Sequence, residues 1–310
     1  MIDASIIIVS YNTAELTCAA ISSVYEQTCI SKYEVIVIDN DSIDGSADRI
    51  SKEFPDCRLF RIDSNIGFAA ANNLAAEQAR GRYILLLNPD TLVLEGAIDK
   101  IIAFADNNPE YGVYGGSTFF GDMSRNPTAG WNMTTMWSLF STAIGFSSIF
   151  RNSSFFNPES LAWWDWTEPR TIDIVTGCFF LIRTDLWNQL GGFDLQFYMY
   201  GEDADLCLRV KEVGKRCVLY PGACIIHYGG ASETVRSDKM TRLLKAKIQL
   251  FQKHWSPLKA TYAKLMLKLW SLSRACAFRT LYRNRPNAKD SFEAWREIWR
   301  RRLEWSGRYE

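Results

Sequence analysis

At 310 residues the chain is long enough for about two domains of ~150 residues each, and its 47% hydrophobic and 23% charged content excludes a disordered polymer. It contains no run of 18 purely apolar residues, which argues against a membrane-spanning helix. The formal net charge of zero hides an asymmetry: residues 236–310 carry 19 Lys and Arg against 6 Asp and Glu, a balance of +13, and the preceding residues carry −13.

In chain order, Ser5–Val9, Val35–Ile38 and Tyr83–Leu87 are short runs rich in branched apolar residues. They are too short for helices and read as strands covered on both faces. Glu15–Tyr25 and Ala69–Ala79 between them read as helices, the second stopped by Gly81. The alternation predicts an α/β fold with a doubly wound, mostly parallel sheet. Residues 126–150 contain no charged side chain and read as a buried or membrane-facing insertion. Strand-like runs follow at Ile172–Ile182 and Cys224–His227, with a helix from Asp203 to Val213 closed by Gly214 between them. Residues 1–235 are expected to form one domain. Its parts are a nucleotide-binding half (1–125), an insertion (126–165) that opens with the uncharged stretch, and an acceptor half (166–235). A basic amphipathic helical extension, 236–310, follows.

Ligands of open α/β sheets bind outside the carboxyl ends of the strands. Here those ends are Ser10-Tyr11-Asn12, Asp39-Asn40-Asp41 and Asn88-Pro89-Asp90. Turn formation explains any one of them, but three at one edge point to a site. No G-x-G-x-x-G and no G-x-x-x-x-G-K-[ST] is present, which argues against a nicotinamide dehydrogenase and a P-loop ATPase. An acidic edge still holds a diphosphate when a divalent cation mediates.

These ends belong to an ordered set. It comprises Ile8-Val9-Ser10-Tyr11-Asn12, Val37 to Ser46 with Asp39 and Asp41, Asn65 to Asn73, and Leu87-Asn88-Pro89-Asp90. Thr176-Gly177-Cys178, Gly191-Gly192-Phe193-Asp194, Tyr200 to Leu206 and His227 continue it. The set resembles the family 2 inverting glycosyltransferases, in particular their bacterial rhamnosyltransferase-like branch. The resemblance implies a GT-A fold, a nucleotide-diphosphate sugar donor and a divalent metal, Mg²⁺ or Mn²⁺. It also implies a sugar, rhamnose from dTDP-rhamnose, passing to a glycan or polyprenyl-linked acceptor in cell-surface polysaccharide synthesis. Carried over residue by residue, Ser10, Tyr11 and Asn12 line the base and ribose, Asp39 contacts the pyrimidine, and Asp41 belongs to the same pocket. Asn65, Gly67 and Asn72 border the nucleotide, with Gly67 allowing close backbone approach. Asn88 stands where many relatives carry the first Asp of Asp-x-Asp, which leaves Asp90 as the metal carboxylate with His227 as a second ligand. Thr176, Gly177, Glu202 and Asp205 border the substrates, and Asp203 is the base that takes the acceptor proton. On spacing alone, Glu202, Asp203 and Asp205 equally suit a helix N-terminus, where the macrodipole favours anions.

Two other readings compete. Asp39 and Asp41 also match the nucleophile strand of haloacid-dehalogenase-type Mg-dependent phosphatases, and a non-catalytic nucleotide-sugar-binding membrane scaffold would need no base. Trp163-Trp164-Asp165-Trp166 suits either a sugar-stacking or a core role, and His254 reads as an ordinary helix residue. The eight cysteines include no Cys-x-x-Cys and read as buried thiols of a reducing compartment; with no basic leader at residues 1–12, a cytoplasmic location is expected. On residues 258–310, Leu265, Met266, Leu269, Trp270 and Cys276 share one helical arc, and Phe292, Trp295, Ile298, Trp299 and Leu303 form a second. Lys264, Lys268 and Arg274 lie largely opposite the first arc and Arg296, Arg300 and Arg301 beside the second, which suits an anionic membrane surface, such as the inner face of the plasma membrane, or packing on the catalytic domain. No nucleic-acid reader motif is present.

Overall fold

The computed structural model describes residues 1–229, 236–283 and 286–307. In chain order the first elements are β1 (Ile2–Ser10), α1 (Ala14–Gln27), β2 (Tyr33–Asn40), α2 (Ser46–Glu53), β3 (Arg58–Ile62), α3 (Phe68–Ala76) and β4 (Gly81–Leu87). They are followed by β5 (Thr91–Val93), α4 (Ala97–Asn107), β6 (Tyr111–Phe119), β7 (Gly130–Trp131), α5 (Met136–Ala143) and α6 (Phe146–Ile149). After these come β8 (Arg170–Ile172), β9 (Ile174–Val175), β10 (Phe179–Arg183), α7 (Thr184–Leu190), α8 (Glu202–Glu212) and β11 (Arg216–His227). The chain closes with α9 (Arg236–His254), α10 (Pro257–Arg279), α11 (Ala288–Arg300) and α12 (Arg302–Ser306).

The described residues fall into two compact units, 1–131 with 165–232, and 132–164 with 233–310. The domain boundary expected at residue 235 itself lies outside the described residues. The larger unit is built on a nine-stranded sheet in the order β3-β2-β1-β4-β10-β6-β11-β5, with β8 beside β11. β3, β2, β1 and β4 run parallel, as the βαβ alternation predicts. β10 enters between β4 and β6 antiparallel to both, so its beginning, not its end, arrives at the edge that β4 and β11 reach with their last residues. Branched side chains on both faces of β1, β2 and β4 explain the near-continuous burial, and Ile6, Ile8, Val37 and Leu85 join α1 and α4 in one core.

Two expectations change in detail. α3 ends at Ala76, and Gly81 instead opens β4, where a Cβ would lie 2.4 Å from the backbone N of Ser5. The run Ile172–Ile182 is not one strand but β8, β9 and β10, broken by the turn that carries Thr176 and Gly177.

In the smaller unit the insertion packs with the C-terminal helices, Leu139 and Ala143 of α5 sharing a core with Leu244, Phe251, Leu267, Trp295 and Trp305. The expected arc on α10 splits: Met266 is buried, whereas Leu265 and Leu269 point outward. The α11 stripe does pack, through buried Trp295 and Ile298, with the Trp270 and Trp295 rings 4.9 Å apart. Trp164 is buried and Trp166 lies under the Arg125 guanidinium at 4.4 Å. All eight cysteines are free thiols, and Cys29 and Cys276 are exposed rather than buried.

Candidate active site

Two groups of polar side chains occupy the carboxyl edge of the sheet. The first lies beyond β1, β2 and β3. Asn12 and Asp41 adopt left-handed backbone angles, φ 54° and 69°, which turn the chain sharply away from each strand. The Asn12 N–H donates to Ser42 Oγ (3.0 Å) and its Oδ1 accepts from the Ile43 N–H (2.8 Å), locking the two turns together. Asp39 is buried; its Oδ1 accepts from the Ser42 N–H at 3.1 Å, and its Oδ2 meets no hydrogen-bond partner among the described residues. Asn40, next to it, donates to Asn65 Oδ1 (3.1 Å) and accepts from the Ile66 N–H (3.0 Å). The Tyr198 hydroxyl donates to the same Asn65 oxygen at 3.0 Å. Tyr11 is exposed beside this group.

Three residues expected to face the nucleotide do other work. Ser10 is fully buried, its hydroxyl 3.0 Å from that of Thr17 on α1. Asn72 is buried and donates to the Phe68 carbonyl of its own helix (2.9 Å). Gly67, at φ 85°, is indeed a site of close approach, but the neighbour is Tyr198, whose carbonyl oxygen would lie 2.6 Å from a Cβ there.

The second group joins β4, β10, β11 and α8 through a continuous chain of bonds. Asp203 Oδ2 accepts from the Gly177 N–H (3.1 Å) and its Oδ1 from the Ala204 N–H (2.7 Å). The next residue, Cys178, accepts from the Asn88 N–H through its carbonyl (3.1 Å). The Asn88 amide lies 3.4 Å from His227 Nε2, which lies 3.4 Å from Asp90 Oδ1. Asn126 fixes this end of β11 by donating to the His227 carbonyl at 3.1 Å. Thr176, at the head of the turn, donates to the Thr128 carbonyl at 2.7 Å. Asp205 departs from the expected role: it is fully buried and bonded to Arg209 at 2.8 Å. Arg209 in turn donates to the Leu190 and Gly192 carbonyls, so this pair fastens α8 to the loop after α7.

The electrostatics separate these carboxyls. Burial works to raise Asp90, but the hydrogen bond and positive charge of His227 outweigh it and hold Asp90 below the ordinary carboxylate range. Burial works to lower His227, but Cys178 and Asp90 carry it up to about 10. Asp203 faces no such cation; burial raises it, and the Gly177 and Ala204 amides recover only part of the shift. Glu202 is raised well above the carboxylate range by burial and then by the Asp203 charge, and its Oε2 meets no hydrogen-bond partner.

Among the described residues no group of three or more His, Cys, Asp or Glu is arranged to hold a metal alone. Asp90 and His227 nevertheless fit a cation that arrives with a diphosphate, since Mg²⁺-type sites commonly need only one or two protein ligands beside phosphate oxygens. Asn40, Tyr198 and Arg209 were not singled out by the sequence. Only Asn40 carried a signal there, as the middle residue of a polar strand end.

A family model described as Glycosyl transferase family 2 matches residues 5–189. Over 236 residues the chain is 27% identical to "O-antigen biosynthesis protein RfbC" of Myxococcus xanthus, covering 74% of this chain and 17% of that protein. It is 26% identical over 216 residues to the "N-acetylglucosaminyl-diphospho-decaprenol L-rhamnosyltransferase" of Mycobacterium tuberculosis, covering 63% of this chain and 66% of that one. The chain thus spans less than two thirds of the length of either relative. In fold it is similar to the mannosyltransferase PcManGT from Pyrobaculum calidifontis, solved with GDP-Man and Mn²⁺. That likeness has a TM-score of 0.58 and 17% identity, and it covers 98% of this chain and 85% of that one. GalNAc-T7, solved with UDP, GalNAc and Mn²⁺, gives a TM-score of 0.60 at 16% identity, over 98% of this chain and 56% of that one. The architecture is that of the GT-A glycosyltransferases.

Proposed function

The chain belongs to glycosyltransferase family 2 and is a rhamnosyltransferase-like glycosyltransferase, and from that premise we propose that it transfers rhamnose from dTDP-rhamnose, with inversion, to a polyprenyl-linked or glycan acceptor of cell-surface polysaccharide synthesis. The observation that carries the mechanism is Asp203. It stands at the start of α8 with both oxygens held by backbone N–H groups, one hydrogen-bond chain away from Asn88, His227 and Asp90. A carboxylate so oriented and raised above its usual range is well matched to take the proton of an acceptor hydroxyl as it attacks the anomeric carbon.

The nucleoside lies against the first group. Asp39 Oδ2, buried and unbonded, accepts the pyrimidine N–H, while Asn65 and Asp41 border the ribose side and Tyr11 covers the ring. Asp90 would hold a divalent cation, Mg²⁺ or Mn²⁺, which His227 would join only in its deprotonated form, and Asn88 orients His227. When bound, that cation supplies positive charge to the departing diphosphate. Thr176 and Gly177 set the turn that positions Asp203, and Glu202, its carboxyl raised by burial and by the Asp203 charge, lies beside it. We place the reaction in the cytoplasm, in keeping with eight free thiols. No helix among the described residues is long and apolar enough to cross a membrane.

The phosphatase reading gains nothing from the site. Asp39 is buried with one oxygen tied to Ser42, and the family match does not favour that reading. A donor screen tests the proposal by following release of nucleoside diphosphate with Mn²⁺, with Mg²⁺ and with chelator. Release from dTDP-rhamnose that needs both metal and acceptor is the expected result. Release only from another sugar nucleotide would replace the donor, and donor binding without transfer would favour the scaffold reading.

A further inference from the structure

In the smaller unit α10 shows an inverted pattern. Its buried stripe is small and mixed (Ala263, Met266, Leu267, Ser271, Ala275), whereas its outward stripe is leucine: Leu258 is 85% exposed, Leu265 59%, Leu269 39% and Leu272 37%. Spacings of seven, four and three residues put these leucines on one face. α5, which packs on α10 through Tyr262 to the Met136 carbonyl (3.2 Å) and Ser273 to the Ala143 carbonyl (2.8 Å), repeats the inversion. Its Trp137 and Phe140, and Ile144 just after it, are exposed, and Trp137 contacts the exposed ring of Phe155 at 5.0 Å. Scattered exposed apolar residues need no explanation, but two packed helices that both turn large apolar side chains outward do.

Charge identifies what covers them. α10 carries Lys259, Lys264, Lys268, Arg274 and Arg279 and no acidic residue in its 23 positions, and α5 carries no charge at all. A second copy of the chain would set these cations against their own counterparts. A leucine and aromatic face with Lys259, Lys268 and Arg279 of the same helix beside it suits a bilayer interface bearing anionic headgroups, where apolar side chains sink to the acyl boundary and Lys and Arg stay at the phosphates.

We infer that the outward faces of α10 and α5 dock the protein on an anionic lipid bilayer. The inference deepens the acceptor side of the proposed reaction and rests on that reading only for its purpose.

Co-sedimentation of the full chain with vesicles, in the absence of donor and acceptor, tests it. Binding to phosphatidylglycerol vesicles, weak binding to pure phosphatidylcholine and weakening by salt are expected. The triple variant Leu265→Glu, Leu269→Glu, Leu272→Glu should lose affinity by about tenfold or more, as three apolar anchors are removed. Lys259→Glu with Arg279→Glu should abolish the preference for anionic vesicles. All these positions are exposed, and thermal unfolding checks that the fold is kept. Four outcomes overturn the inference: no vesicle binding, equal binding to neutral vesicles, wild-type affinity in the triple variant, or a self-association in solution that the triple variant dissolves. Nucleoside diphosphate release in detergent, measured on the same variants, reports the proposed transfer separately.

Discussion

At the end of β4, Asp90 faces the His227 ring; at the start of α8, Asp203 faces only backbone amides. Both carboxyls are drawn out of water at the same sheet edge, yet one is held below the ordinary carboxylate range and the other above it. The difference lies in the partner: a side-chain cation offsets the desolvation of Asp90, whereas two amide dipoles do not fully offset that of Asp203. Environment thus separates a residue suited to hold positive charge from one suited to accept a proton, although the sequence writes both as aspartate.

The sharpest way to break this comparison is Asp203→Asn, which keeps the shape and loses the proton acceptor. Turnover should fall by about 10²–10⁴-fold with donor affinity nearly unchanged, measured as a kcat and KM split. In the parent enzyme kcat/KM should decline as pH falls, with the acid limb above the ~3.9 of an unperturbed aspartate, because only the deprotonated base works. The sign for stability is opposite. A carboxyl raised by folding binds protons more tightly in the native state, so Asp203 and Glu202 lower stability as pH rises from the unfolded pKa to the folded one.

Asp205→Asn asks whether the third carboxylate of the turn belongs to either class. Breaking its buried pair with Arg209 should cost about 3 kcal/mol in denaturant unfolding. Molecules that remain folded should keep most of their turnover; a loss matching that of Asp203→Asn would move the base two residues along. Asp90→Ala should lower metal-dependent turnover by about 10–100-fold or more, the range seen when only a supporting partner of a metal site is removed. Full activity of this variant, or of the parent in excess chelator, would end the metal role. The smallest effect is expected from Glu202→Gln. Burial and the Asp203 charge disfavour its ionised form and its Oε2 meets no partner, so the neutral amide should change kcat by no more than a few fold.

Strand runs, the order of βαβ units and the polar strand ends were legible in the sequence because apolar runs and turn residues are local signals. Asp90, Asn88 and His227 came together as the family resemblance implied. Less visible was which polar residue at an edge turns inward. Ser10 and Asn72 share the composition of site residues, but one bonds to a helix hydroxyl and the other to its own helix. Gly67 was expected to admit the nucleotide, whereas the group that approaches it is Tyr198, which lies 131 residues away and leaves no local mark. The same holds for Trp305, fully buried in a segment whose pattern offered Leu303 instead, which is exposed. Amphipathic spacing gave α10 an apolar face, but not that packing would choose its smaller residues and leave its leucines outside.

The oxygens of Asp203 are gripped by peptide N–H groups at positions 177 and 204, and a peptide donates whichever side chain it bears, proline excepted. The orientation of the base is therefore stored in the path of the main chain. Substituting Ala204 would leave the grip in place unless the turn itself moved, and at Gly177 there is no side chain to remove. Comparison of related sequences would show no covarying pair to betray it. Backbone editing, such as an ester in place of the amide at 177, would reach a contact that ordinary mutagenesis passes over.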